Sequence, residues 1–479
     1  MAKIAFGTDG WRSIIAEDFT FANVRIVAAA VADYLEGRGL GPRGIVVGYD
    51  NRFLSEHFAA AAAGVFLARG MPVMLGVRSM PTPVTAFAVT RYRAAGAVML
   101  TASHNPPEYN GIKFIPEYGG PALPEVTRQI EANIRRYEQG DAAPPDEPWR
   151  LDELRRKEGY QHLLRFIDPR DDYISHVMTL IDGEAIREAR LRVVADPLYG
   201  AGCGYLDRIL RRLDVVVETL HDCRDALFGG RLPDPSKEKL ELLRERVLAG
   251  GYDLGLGLDG DADRLGVIDA DGSYISPNEL LTLVYYHLLT VRDMAGPAAR
   301  TVATTHMLDR IAQAYGYQVR ETPVGFKYIG QCLMNGCIVG GEESGGMSVK
   351  GHVPEKDGIM AGLLAVEMVA VHGKSLRRLL AEVAGRFGPA YSGRVDVHTM
   401  PSKKAEVLEK LKGEPPRELG GKAVAGCQTM DGTKLLFDDG AWVLIRPSGT
   451  EPVFRIYAEA GSPEELARIH QAMREFAGL

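Results

Sequence analysis

AVMLTASHNPPEYNGIKF, residues 97–114, changes character at Thr101. The apolar run 97–100 predicts a buried strand, and 101–107 then abandon regular patterning for small, polar and proline residues. A loop at a strand end is expected to place Ser103 in the open. His104, Asn105 and Lys113 can supply hydrogen bonds and positive charge around its hydroxyl, as a serine that carries a phosphoryl group requires. Ordinary turn chemistry accounts for Ser-His-Asn-Pro equally well in isolation, so the rest of the chain has to decide.

Upstream, residues 4–12 (IAFGTDGWR) read as a short strand breaking into a glycine-rich loop that ends on Arg12. A helix with apolar Val24, Val27, Ala28, Val31 and Leu35 follows, then a strand at 45–47 and a helix over 55–69 with Ser55 as N-cap and Gly70 as its stop. A strand at 72–75 and a helix over 84–93 complete an α/β module. The order recurs. A second pass has strands at 191–195, 215–219 and 252–258, helices over 204–213 and 237–249, and ends in DGDADR. A third has strands at 301–303, 318–322 and 337–339 around a helix over 308–315, and ends in GGEESGG. Three copies of one layout, each delivering a polar loop after its last strand, predict three similar α/β domains facing a common cleft.

The proline-rich connector 140–148 closes the first module, and Ser276, Pro277 and Glu279 form a capping box that opens a helix of the third. After Gly388-Pro389 the pattern becomes a smaller α+β unit, with a strand at 392–398, a helix over 403–411 and a last helix opened by Ser462, Pro463 and Glu465. The expected domains are 1–148, 149–275, 276–388 and 389–479.

Composition narrows the function. A chain of 479 residues fits about three or four domains, and 46% hydrophobic with 25% charged residues is an ordinary globular balance. A net charge of −7 argues against nucleic acid as the main partner. Cys203, Cys223, Cys332, Cys337 and Cys427 show no Cys-x-x-Cys pair and are expected to be small buried hydrophobes in a reducing compartment. No secretory leader is visible, and the longest apolar stretch, 58–68, is too short for a bilayer. A cytoplasmic protein with no membrane and no obligate protein partner is the expectation.

Asp259, Asp261 and Asp263 alternate along what reads as an extended segment, so their carboxylates could converge on a hard divalent cation. An EF-hand counted from Asp259 would need glycine at its sixth and glutamate at its twelfth position, where this chain has Arg264 and Ala270. A solvated acidic turn is the other rival. Arg264 beside the carboxylates favours metal plus phosphate. Gly255, Gly257 and Gly260 match the dinucleotide fingerprint, yet they run into another strand instead of a helix and are set aside. Glu342, Glu343 and Ser344, flanked by glycines, suit adjacent hydroxyls of a sugar, and Arg446, Ser448, Gly449 and Thr450 combine donors that suit phosphate.

Taken together, TASHNP, DGDADR, GEESGG and RPSGTEP occur in the order found in the α-D-phosphohexomutase superfamily, the phosphoglucomutases and phosphomannomutases, which the chain resembles over essentially its whole length. The resemblance implies three α/β domains with mixed sheets plus a smaller C-terminal α+β domain around a central cleft. It also implies that Ser103 is the phosphorylated nucleophile, with Asp259, Asp261 and Asp263 holding Mg²⁺ against its phosphate. Arg12 and Lys113 should line the transfer site with His104, Lys113 as a candidate general acid or base. Glu342 and Ser344 should bind sugar hydroxyls, and Arg446, Ser448, Gly449 and Thr450 the phosphate that is not reacting. Ala262 departs from the glycine of many relatives.

A phosphoserine brings about −2 and the three aspartates −3, so Arg12, Lys113 and Arg264 are needed beside a single Mg²⁺. The reaction implied is the interconversion of hexose 1-phosphate and 6-phosphate through a bound 1,6-bisphosphate. GEESGG is similar to the Glu-Glu-Ser form of phosphoglucomutases. The segment 322–327 (TPVGFK) resembles their Thr-Pro-Thr-Gly-Trp-Lys and would set Phe326 and Lys327 beside the sugar. The expected substrate is a glucose phosphate, with glucose 1,6-bisphosphate as activator. The alternatives are a phosphomannomutase or dual-specificity mutase, a serine-dependent sugar phosphatase and a non-catalytic sugar-phosphate sensor. Ala102 and Asn105 break the G-x-S-x-G elbow, which argues against an ester hydrolase.

Overall fold

A computed structural model describes residues 4–6, 10–413, 415–447 and 453–479, apart from the side chains of 401, 402 and 412. The chain forms two compact units, one built from 1–276 and 345–376, the other from 277–344 and 377–479.

In the first unit, the buried apolar strands Ile45–Tyr49, Val73–Gly76 and Gly96–Leu100 pair in parallel at the centre of a six-stranded mixed sheet. Tyr109–Pro116 returns antiparallel along Gly96–Leu100, and Trp11–Ile14 closes that edge. Leu164–Ile167 forms the opposite edge beside Val73–Gly76, so this sheet draws on chain beyond the proline-rich connector. The alanine-rich helix Ser55–Ala68 lies against Phe21–Gly37, its small side chains allowing close approach while Phe58 and Phe66 fill the core. Truncating Phe58 to alanine is expected to cost about 3–5 kcal/mol.

Ser55 does not cap its helix as expected. Leu54, in the left-handed region, occupies that position, and the Ser55 hydroxyl donates instead to Asp50 Oδ1 at 2.8 Å. At the other end of the chain Ser462 does cap Pro463–Ala477, accepting from the Glu465 N–H.

The second sheet of this unit runs Tyr274–Ile275, Leu265–Asp269, Leu254–Leu258, Arg192–Asp196 and Val216–Thr219. Gly255 and Gly257 explain themselves here: a Cβ on Gly255 would come within 2.8 Å of Val247, and one on Gly257 within 2.6 Å of Leu240, so they admit the helix Glu241–Gly250 and its cap residue. Ser103 and Asp259 each follow the carboxyl end of a central strand, where open α/β sheets present ligand sites.

The second unit holds three parallel strands in the order Arg320–Thr322, Ala298–Thr301, Val339–Gly341, with helices Pro277–Thr290, Met307–Ala314 and Phe326–Met334. It continues into an antiparallel sheet of Tyr391–His398, Val453–Ala460, Trp442–Pro447, Thr433–Phe437, Lys422–Gln428 and Glu418–Leu419. Val302, Ala303, Trp442, Leu444 and Tyr457 form one apolar cluster joining these two parts. The cysteines are not uniformly buried: Cys223 and Cys427 are exposed and Cys337 is enclosed. Among the described residues no single helix is long and apolar enough to cross a membrane.

Candidate functional site

Ser103 is not in the open. Only 1% of it is exposed, and its backbone sits at φ 51°, a left-handed conformation uncommon for a residue with a Cβ. Arg52, fully buried, holds it there. One guanidinium nitrogen donates to the Ser103 and Asn105 carbonyls at 2.6 and 2.7 Å, the other to those of Pro106 and Tyr109 at 2.7 and 3.0 Å. Asp50 balances that charge at 3.2 Å. The Thr101 hydroxyl accepts the Ser103 N–H, and Arg12 Nη1 donates to the Asn105 side chain.

The Ser103 hydroxyl donates to Asp259 Oδ2 at 2.8 Å and lies 3.2 Å from His104 Nδ1. The Arg264 charge first, and burial second, hold the His104 imidazole well below its usual pKa, so it is neutral. A Cβ on Gly260 would come within 2.5 Å of the Ser103 carbonyl, so the acidic loop can touch the serine loop only with glycine there.

The three aspartates do converge, with carboxylate oxygens all within 4.8 Å of one another, and all three are buried. They do so through a turn rather than the extended alternation expected, Ala262 taking φ 58°. Lys113 Nζ lies 2.8 Å from Asp261 and 3.1 Å from Asp263; Lys356 Nζ lies 3.3 Å from Asp263. The Thr82 hydroxyl donates to Asp261 Oδ2 at 2.6 Å. Helices Thr82–Tyr92 and Gly358–His372 begin here, the N–H groups of Thr82 and Gly358 donating to the Asp261 and Ala262 carbonyls, so both positive helix ends face the acidic loop. Burial, then the charges of Asp261 and Asp263, push Asp259 well above the carboxylate range. Burial also opposes ionisation of Asp261, but the Lys113 ion pair overrides it and holds that carboxyl below its usual value.

This donor set fits a hard divalent cation. All the ligand atoms are carboxylate oxygens, they are buried, and Oδ1 of Asp261 and of Asp263 have no hydrogen-bond donor. Asp259, Asp261 and Asp263 would hold Mg²⁺. Such an ion would supply electrostatic stabilisation to a transferring phosphoryl group.

In the second unit, Glu342 is buried and its Oε1 accepts the Gly325 N–H at 3.0 Å, tying GEESGG to the TPVGFK segment. Asp431 makes a second tie, accepting from the Val324 N–H at 2.9 Å and pairing with Arg446 at 2.9 Å. Glu342, Lys327 and Arg446 are therefore brought into one neighbourhood. Ser344 is half-buried beside them in sequence. Phe326 is a correction: it is fully buried among Ala299, Ile329, Leu333 and Cys337, so it packs the core and cannot face a sugar. Ser448, Gly449 and Thr450 lie outside the described residues.

Sequence reading missed Arg52, Thr82, Lys356 and Asp431. Each stands outside the polar loops, and only the fold brings it to them.

Four family descriptions match in order: phosphoglucomutase/phosphomannomutase alpha/beta/alpha domain I over 3–141, domain II over 171–272, domain III over 276–387 and the C-terminal domain over 396–476. A "Phosphoglucomutase/phosphomannomutase" of Thermococcus kodakarensis is 35% identical over 98% of this chain and 96% of its own. A "Probable phosphoglucosamine mutase" of Methanothermobacter thermautotrophicus is 34% identical over 98% and 97%. A crystal structure of a Thermus thermophilus protein, 34% identical, superposes with a TM-score of 0.84 and full coverage of both chains. The fold is thus three α/β/α domains with mixed sheets followed by an antiparallel C-terminal domain. The chain belongs to the α-D-phosphohexomutase superfamily and is a phosphohexomutase, an intramolecular phosphotransferase.

Proposed function

We propose that this protein interconverts glucose 1-phosphate and glucose 6-phosphate through a phosphoserine at Ser103 and a bound glucose 1,6-bisphosphate. The observation that carries the reading is the Ser103 hydroxyl, 2.8 Å from the aspartate cluster and 3.2 Å from a neutral imidazole. In the cycle, phosphoserine gives its phosphoryl group to the free sugar hydroxyl, the bisphosphate reorients, and the Ser103 oxygen takes the phosphoryl group from the other end. His104, kept neutral, is placed to accept the serine proton in that second step. Lys113 is held by two carboxylates, which suits it to neutralise phosphoryl oxygens more than to exchange protons; Arg12 and Arg264 add charge. Burial of Ser103 keeps bulk water from hydrolysing the phosphoserine. Glu342, Ser344 and Lys327 would read the sugar hydroxyls. Arg446, with Ser448, Gly449 and Thr450, would hold the idle phosphate.

Glu-Glu-Ser in the sugar loop favours glucose over mannose or glucosamine. One hydroxyl direction is worth only about 1–3 kcal/mol, a ten- to hundredfold preference, so measurable mannose 1-phosphate turnover is expected. A coupled assay with glucose, mannose and glucosamine phosphates, with and without glucose 1,6-bisphosphate, should give the highest kcat/KM for glucose. A clear excess for another sugar would overturn the substrate and leave the mutase. Intact mass after incubation with the bisphosphate should rise by one phosphoryl group at Ser103, and an unphosphorylated but active enzyme would overturn the mechanism.

A further inference from the structure

Helix Phe326–Met334 ends at Gly336, in the left-handed region at φ 100°. The Cys337 N–H donates to the Cys332 carbonyl at 3.0 Å and the Gly336 N–H to that of Leu333 at 3.3 Å. These two bonds, six-to-one and five-to-two, define a Schellman ending, in which the third residue from the helix end meets the second residue beyond the cap. Both positions are cysteine here. Both side chains belong to one apolar cluster, Cys337 fully buried and Cys332 partly buried against it. A turn closed in this way keeps the two Cα atoms within the window of about 4.4–6.8 Å that a disulfide spans.

We propose that Cys332 and Cys337 form a reversible intramolecular disulfide, driven by a low-molecular-weight disulfide such as oxidised glutathione. The accessible Cys332 thiolate attacks one sulfur of the oxidant, making a mixed disulfide and expelling one thiolate. The Cys337 thiol then loses its proton to solvent and attacks Cys332 Sγ, expelling the second thiolate. Two protein thiols are oxidised and one small disulfide is reduced to two thiols, which balances. Exposure assigns the roles: Cys332, the more accessible thiol, attacks, and buried Cys337 resolves. At its other end this helix starts beside the Gly325 N–H that binds Glu342, so the pair sits on an element the sugar loop leans on.

The test uses the full chain. After exposure to oxidised glutathione and alkylation without reductant, two of the five thiols should be lost. Tryptic peptide 328–350, which holds both cysteines, should be unalkylated and lighter by two hydrogens, and dithiothreitol should reverse this. Cys337→Ala should halt at glutathionylated Cys332. Alkylation of both cysteines, or a lasting glutathionyl group on Cys332 of the unsubstituted protein, would overturn the proposal. Should Cys337→Ala fail to fold, the peptide map of the unsubstituted protein decides alone.

Discussion

Two charge clusters, one in each unit, look alike on a list of ions and behave differently. In the first unit, Asp259, Asp261 and Asp263 face Lys113, Lys356 and Arg264. In the second, Arg300 lies between Asp309 at 2.7 Å and Glu321 at 2.6 Å, and Lys434 donates to Glu321, His306 and the Val302 carbonyl while stacking on Trp442. The second cluster closes on itself, and none of the carboxylate oxygens of Asp309 or Glu321 is buried without a donor. The first keeps two such oxygens, forces one aspartate toward protonation, and contains a hydroxyl that can be esterified. A cluster whose carboxylates pair with cations and reach solvent joins parts of a fold. One with buried oxygens lacking a donor suits a further positive charge.

Substitution should separate the two. Ser103→Ala should lower kcat roughly a thousandfold or more, with the melting temperature little changed, because the group that accepts the phosphoryl is gone. Asp261→Asn should lower turnover by about a hundredfold and weaken the response to added Mg²⁺, read as activity against metal concentration at fixed substrate. Chelator-treated enzyme retaining full turnover would break the comparison at its first term. In the other cluster Glu321→Gln should act on stability instead. Lys434 and Arg300 lose their shared carboxylate, costing about 1–3 kcal/mol in denaturant unfolding, with kcat within roughly twofold of the parent. A hundredfold loss of kcat from Glu321→Gln would show that satisfied clusters are catalytic too.

The smallest effect is a pH profile. Burial raises the Cys427 thiol, whereas the Cys337 hydrogen bond brings Cys332 down to about 7. Since the thiolate reacts, alkylation of Cys332 should be half-maximal near pH 7 and level off about one to two units above it, while exposed Cys427 becomes reactive only at higher pH. A shared midpoint would remove the special standing of Cys332.

The sequence made the strands and loops legible because fully buried strands and glycine–proline punctuation leave strong local marks; the runs ending at Leu100 and Leu258 and the cap at Ser462 are examples. It also marked the loops that gather at the candidate site, since those of Ser103 and Asp259 follow strand ends. What escaped was whatever depends on distant chain. Arg52 reaches carbonyls more than 50 residues away and Thr82 meets Asp261 across 179, distances no periodicity encodes. Ser103 looked exposed because its own loop is polar, and burial came from Asp259 and Gly260. Phe326 was misplaced for the opposite reason: its local segment resembled a ligand contact, and only the packing of Ile329 and Leu333 around it shows a core residue.

The left-handed backbone of Ser103 narrows what evolution can do at this position. Threonine offers the same hydroxyl oxygen, and by chemistry alone would serve in the proposed role. At φ 51° a β-branched side chain is a genuine outlier, so a threonine would have to unwind the loop that Arg52 ties down before its hydroxyl could reach Asp259. The alphabet allowed here is thus set by a torsion angle, and exchanging serine for threonine, a neutral drift at many hydroxyl sites, is closed to this one.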